Sequence, residues 1–120
     1  MTREDAFRYL NSGVPLAAER EATSLQRSAW VGVFPLDLSR GDVQQFMRNK
    51  GYSSKSVDWA CNVRSFEVDR ELVGKWIYDG DVVDLSDKIV FSENQLVDAL
   101  KYLVVPIEAL DFHYRSDYPL

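Results

Sequence analysis

Glu71 to Phe91 reads ELVGKWIYDGDVVDLSDKIVF, and this stretch decides the fold. Two β-rich runs flank Asp79-Gly80, and an Asp-Gly pair between such runs is a strong short-range hairpin signal. The spacing predicts strands near 72–78 and 81–85, with a third at 88–91. The same stretch is the most acidic in the chain. Asp79, Asp81, Asp84 and Asp87 fall close together beside Trp76 and Tyr78. Carboxylates edged by aromatic side chains suit a binding surface better than a reaction centre.

Downstream, Ser92-Glu93-Asn94-Gln95 has the S-x-x-Q form of a capping box, and Leu96, Val97, Leu100 and Leu103 continue it as a helical stripe. Pro106 requires that helix to stop before it. Leu110–Tyr114 alternates and predicts a last strand, and the tail RSDYPL reads as polar and prone to fray. Upstream, Val63–Asp69 reads as a strand. Tyr52–Asn62 is either a short helix capped by Ser54 or an irregular connection.

In the first half, Thr2 and Asp5 cap a helix with an apolar stripe of Ala6, Phe7 and Leu10, stopped by Asn11-Ser12-Gly13. Pro15 to Arg27 predicts a second, weaker helix. Trp30–Phe34 (WVGVF) reads as a buried strand ended by Pro35. Ser39 and Asp42 then predict the cap of a helix carrying Val43, Phe46 and Met47, with Gly51 beyond its end. The sum is one α+β domain over residues 1–120, with three or four helices on a mostly antiparallel sheet around the 71–91 hairpin.

The chain has 120 residues, a net charge of −5 and a single cysteine, Cys61. One cysteine excludes an internal disulfide and fits a reducing, cytoplasmic setting. No apolar run reaches the ~20 residues of a membrane helix, so no membrane partner is expected. Charge is uneven. Residues 1–65 hold nine Lys and Arg against seven Asp and Glu, whereas residues 66–120 hold five against twelve. Such an acidic half repels nucleic-acid phosphate and attracts basic partners.

Motifs for chemistry are missing. The sequence has no G-x-S-x-G, no phosphate-binding P-loop and no G-x-G-x-x-G. Cys61 and the single histidine, His113, are too few for a zinc site, and Asp79, Asp81, Asp84 and Asp87 do not follow calcium-loop spacing, so no metal or other cofactor is expected. Cys61, between Ala60 and Asn62, reads as a small buried residue rather than half of a Cys–His dyad. Paired carboxylates also serve glycoside hydrolysis, but that chemistry needs a concave sugar site, and these acids sit around a tight turn. Ser39–Asn62 has a loose helix-turn-helix outline, yet its second half, SKSVDWACN, carries nothing arranged to read base edges.

A small, acidic, aromatic-rich α+β chain without a catalytic constellation resembles the immunity proteins of bacterial polymorphic toxins, in particular those of contact-dependent growth-inhibition systems. The resemblance lies in whole-chain character. It implies a protein without catalytic residues that binds one cognate, basic toxin domain, often a nuclease, and covers its active site or substrate groove. The residues it would use are Asp79, Asp81, Asp84 and Asp87, then Glu67, Asp69 and Glu71, with Trp76 and Tyr78 as aromatic anchors. An acidic adaptor for another basic partner is the alternative.

Overall fold

The computed structural model describes residues 1–119. Three α-helices and a five-stranded antiparallel sheet make an α+β domain, in the order α1 (Arg3–Asn11), β1 (Leu16–Arg20), β2 (Arg27–Pro35), α2 (Gly41–Asn49), β3 (Cys61–Asp69), β4 (Val83–Val90), α3 (Glu93–Tyr102) and β5 (Asp111–Phe112). The sheet runs β4-β3-β2-β1-β5.

The helices follow their sequence signals. The Thr2 hydroxyl accepts from Asp5 N, and Ala6, Phe7 and Leu10 are buried. The Ser92 hydroxyl accepts from Gln95 N, while Gln95 Oε1 accepts from Phe91 N, one residue upstream of the cap itself. Gly13 and Gly51 take the left-handed conformation that follows a helix end, at φ +86° and +87°. The cap of α2 differs from expectation. Ser39 turns back to Asp37, donating through its N–H and hydroxyl, and the cap position falls to Arg40.

α3 closes in the same left-handed way, but on Val104, at φ +60° and 85% exposed. Val105 N donates to Leu100 O and Val104 N to Lys101 O, so the closing turn forms despite a β-branched side chain. A non-glycine residue there carries roughly 1–2 kcal/mol of strain. Val104→Gly should therefore stabilise the fold by about 0.5–1 kcal/mol after its own entropy cost, read as a higher urea midpoint.

Residues 15–27 are not a helix. Leu16–Arg20 is β1, hydrogen-bonded to β2 along its length and to β5 at Leu16 and Ala17. Ala17 and Ala18 favour helix locally, but both are buried in a strand held from two sides, and pairing outweighs a propensity worth tenths of a kcal/mol. The connection 52–60 is irregular apart from a 3-10 turn at Ser54–Ser56.

The hairpin is present, with different arms. β3 pairs with β4 from Cys61↔Val90 to Glu67↔Val83, and β4 joins the runs expected at 81–85 and 88–91 into one strand. The run expected as a strand at 72–78 has no neighbour to pair with. It opens with a 3-10 turn at Arg70–Leu72, swings through Gly74 at φ +83°, and meets a second 3-10 turn at Asp79–Asp81. The register slips between Ser65↔Ser86 and Glu67↔Val83, so Asp84 and Leu85 together oppose Phe66 in a β-bulge. Asp84 adopts φ +55°, a conformation aspartate tolerates better than most residues.

The two faces of the sheet are covered differently. Val31, Val33 and Val63 point to one face, where α1 and α3 supply Phe7, Leu10, Leu96 and Leu100. Trp30, Phe66 and Val68 point to the other. Among the described residues no helix covers that aromatic cluster. Ile77 and Val82 from the 70–82 loop and Tyr118 from the last turn close it instead. The tail is thus anchored rather than frayed as far as Tyr118; Leu120 lies outside the described residues. α2 packs Met47 against Ala60 and Ile89.

Candidate functional site

The 70–82 loop leaves the sheet at the end of β3 and returns at the bulge of β4. Its side chains alternate in purpose. Ile77 turns inward to the aromatic cluster, whereas its neighbours Trp76 and Tyr78 point outward. They are 78% and 68% exposed, with ring centroids 6.4 Å apart in an edge-to-face pair. Trp76 therefore does not face the core. Val73 and Leu85 are exposed nearby in the chain.

Two contacts tie this loop to the β1–β2 connection. Arg70 N donates to Gln26 O at 2.8 Å and Arg70 Nε to Arg27 O at 3.1 Å. Arg27 in turn reaches Asp84 at 3.6 Å. The tie brings Leu25, 85% exposed, into the same rim. Sequence reading missed Leu25 because it was assigned to a helix; in a polar loop it would have stood out as an exposed leucine between Ser24 and Gln26.

The structure divides the expected acids into two groups. Asp69, Glu71, Asp79 and Asp84 are exposed, and Asp81 is partly so, its carboxylate accepting from Tyr78 N at 2.9 Å. These five share the rim with Trp76 and Tyr78, and only Arg70 and Lys75 oppose them in charge within residues 69–84.

Asp87 and Glu67 do not belong to the rim. Asp87 takes a two-pronged pair from Arg64, at 2.8 and 3.1 Å, and a bond from Asn62 at 2.9 Å. Partial burial pushes its carboxyl upward, but the bonds from Arg64 and Asn62 win and hold it below the usual carboxylate range. The same pairing raises Arg64 above its ordinary value.

Glu67 is 1% exposed. Its carboxylate accepts from the Thr23 N–H and hydroxyl at 3.0 Å, fastening the β1–β2 connection over the sheet. Glu67 and Arg20 are the pairing partners of Ala29 on its two sides, so opposite charges lie on one face two strands apart. Glu67→Ala should cost about 2 kcal/mol, by removing the buried hydrogen bonds that fasten Thr23 to the sheet. Glu67→Gln should cost less. Denaturant midpoints of the two variants test this.

Elsewhere a groove of about 840 Å³ lies between the end of α1 and the segments Pro35–Arg40 and Asp58–Cys61. Asp37 and Asp58 line it, but none of the rim acids does. Ser39 bonds hold the Asp37 carboxyl below its ordinary range. Cys61 is buried, as expected, and burial pushes its thiol up to about 12. Among the described residues, no three His, Cys, Asp or Glu side chains converge as a metal site. No helix among them is long and apolar enough to cross a membrane.

No family model matches the chain, and no solved structure matches it. One stretch is similar to a beta-glucanase of Fibrobacter succinogenes, at 32% identity over 85 residues. That match covers 62% of this chain and 24% of the other, so the chain spans about a quarter of the length of the curated relative it matches.

Proposed function

We propose that this chain is a protein-binding domain that captures a basic partner domain, acting as an immunity protein acts on a toxin. The observation that carries the reading is the outward pair Trp76 and Tyr78 set among five carboxylates, Asp69, Glu71, Asp79, Asp81 and Asp84. Carboxylates steer a basic surface into encounter, and desolvated aromatic anchors then slow its release. A nuclease groove built to hold phosphate is a fitting target, because it is basic and concave.

The test starts from the tagged chain in its own cells, followed by purification of the single captured domain and measurement of its binding rates. Asp81→Asn with Asp84→Asn is the electrostatic variant. Asn keeps the acceptor for Tyr78 N and tolerates the bulge conformation, so the fold is preserved. Association should slow about tenfold at low salt, and the difference should shrink as salt rises. Trp76→Ala with Tyr78→Ala should weaken affinity by about 100-fold or more through faster release. Co-expression should suppress the captured domain's toxicity with the native chain and not with the aromatic variant. Unchanged rates in both variants would remove the rim from the interface.

A second reading is favoured by the match to a protein named beta-glucanase. In it, Trp76 and Tyr78 stack on the sugar rings of a glucan. Salt-insensitive retention on insoluble β-glucan, lost in the aromatic variant and kept in the Asn variant, would replace the first reading with this one.

A further inference from the structure

The sheet row through Gly32 is unusually bare on its aromatic face. Asp111, Ala17, Gly32, Arg64 and Asp87 follow one another across the five strands. Its two middle positions carry a methyl group and nothing. The vacancy is filled from above by a residue far along the chain. After β5 the backbone reverses, with Arg115 N and Ser116 N donating to Phe112 O, and Asp117 at φ +56° completes the turn. Tyr118 is thereby laid back over Gly32.

The fit is close. A Cβ at Gly32 would lie 2.8 Å from Tyr118 Oη and 2.7 Å from Phe34 Cε2. The Tyr118 ring meets Phe66 edge-on at 5.3 Å and Phe34 at 5.9 Å. Trp30 Nε1 donates to Ser116 O at 3.1 Å, which pins the turn itself. Tyr118 Oη is buried with no hydrogen-bond partner among the described residues. What holds the residue is therefore its ring, not its hydroxyl.

Ile77 and Val82, the inward residues of the rim loop, pack on the same small cluster as Tyr118. Three apolar groups from two irregular segments cover Trp30, Phe66 and Val68 together, and neither segment has a sheet or helix of its own to hold it there. We propose that Tyr118 is a positioning residue for the 70–82 loop: it completes the cluster on which Ile77 and Val82 rest, and so holds Trp76 and Tyr78 outward. Its consequence for partner capture rests on the reading of the rim as a docking surface; the ordering of the loop does not.

Amide hydrogen exchange of the full chain without any partner tests the ordering. In Tyr118→Ala, amides of 70–82 should exchange about tenfold faster or more, while those of α1 and α3 stay at native rates. Tyr118→Phe, which keeps the ring, should restore native exchange. Gly32→Ala supplies a second route, since its methyl group displaces Tyr118 without deleting it, and should also speed exchange in 70–82. Native rates in the loop of both Tyr118→Ala and Gly32→Ala would overturn the proposal. So would an equal acceleration everywhere, which marks general loss of stability. If exchange behaves as expected and Trp76→Ala with Tyr78→Ala leaves partner binding intact, the positioning role stands and the docking reading falls.

Discussion

Replacing Trp30 by alanine should cost the protein about 3–5 kcal/mol, as large aromatic truncations in packed cores do. Trp30 is 1% exposed, and its indole lies stacked 6.0 Å from Phe66. The loss has three parts. The first is apolar area returned to water, the second a cavity in a cluster too small to collapse around it, and the third the bond from Nε1 to Ser116 O. A domain of this size has about 5–15 kcal/mol of stability in all, so the variant should be marginal at 37 °C. Trp30→Phe retains most of the packing and loses only the bond and some volume, with an expected cost of about 1–2 kcal/mol. Urea unfolding followed by far-ultraviolet dichroism ranks the three proteins. Equal midpoints for the alanine and phenylalanine variants would show that the hydrogen bond, not the cluster, holds this face.

The second large effect concerns alkaline pH. Burial pushes the Cys61 thiol from 9.0 up to about 12 and the Tyr118 phenol from 10.0 up to about 12. Arg64 pulls the phenol down and Asp87 pushes it up, but burial leads. Both groups hold their protons more tightly folded than unfolded. Their contribution is complete below pH 9 and is lost as pH rises through 9 to 12, where the unfolded chain ionises first. At about 1.4 kcal/mol per unit, the buried Cys61 accounts for roughly 3–4 kcal/mol at the top of that window, and the half-buried Tyr118 adds less than its full share because solvent screens it. Urea midpoints from pH 8 to 11.5 should fall steadily. Cys61→Ala should flatten the first part of the fall and Tyr118→Phe the second. A fall that persists unchanged in the double variant would place its origin in other groups.

What could be read from the sequence followed from locality. Thr2, Ser92, Gly13 and Gly51 act on backbone groups within a few residues, and the apolar stripes of α1 and α3 repeat within two turns. β1 could not be read that way, because Leu-Ala-Ala-Glu-Arg becomes a strand only through β2 and β5, and β5 lies near the other end of the chain. The run 72–78 has the composition of a strand and lacks a neighbour, so composition overstated it. The acidity and aromatic content of the rim were plain. Which acids remain free was not, since Asp87 is claimed by Arg64 from 23 residues away and Glu67 by Thr23 from 44.

The pairing of β1 with β5 bears on how the chain folds. β2, β3 and β4 are joined in sequence order and can zip as successive hairpins, each closing a modest loop. Leu16 finds Phe112 only after nearly the whole chain is enclosed, and two residue pairs reward that closure. An enclosure of such length carries an entropic cost of a few kcal/mol, so it is favourable only once the rest of the sheet exists. β5, and with it the turn that delivers Tyr118, is therefore the last piece to arrive. Substitution of Phe112 should accelerate unfolding while leaving the refolding rate almost untouched, the kinetic mark of contacts made after the transition state.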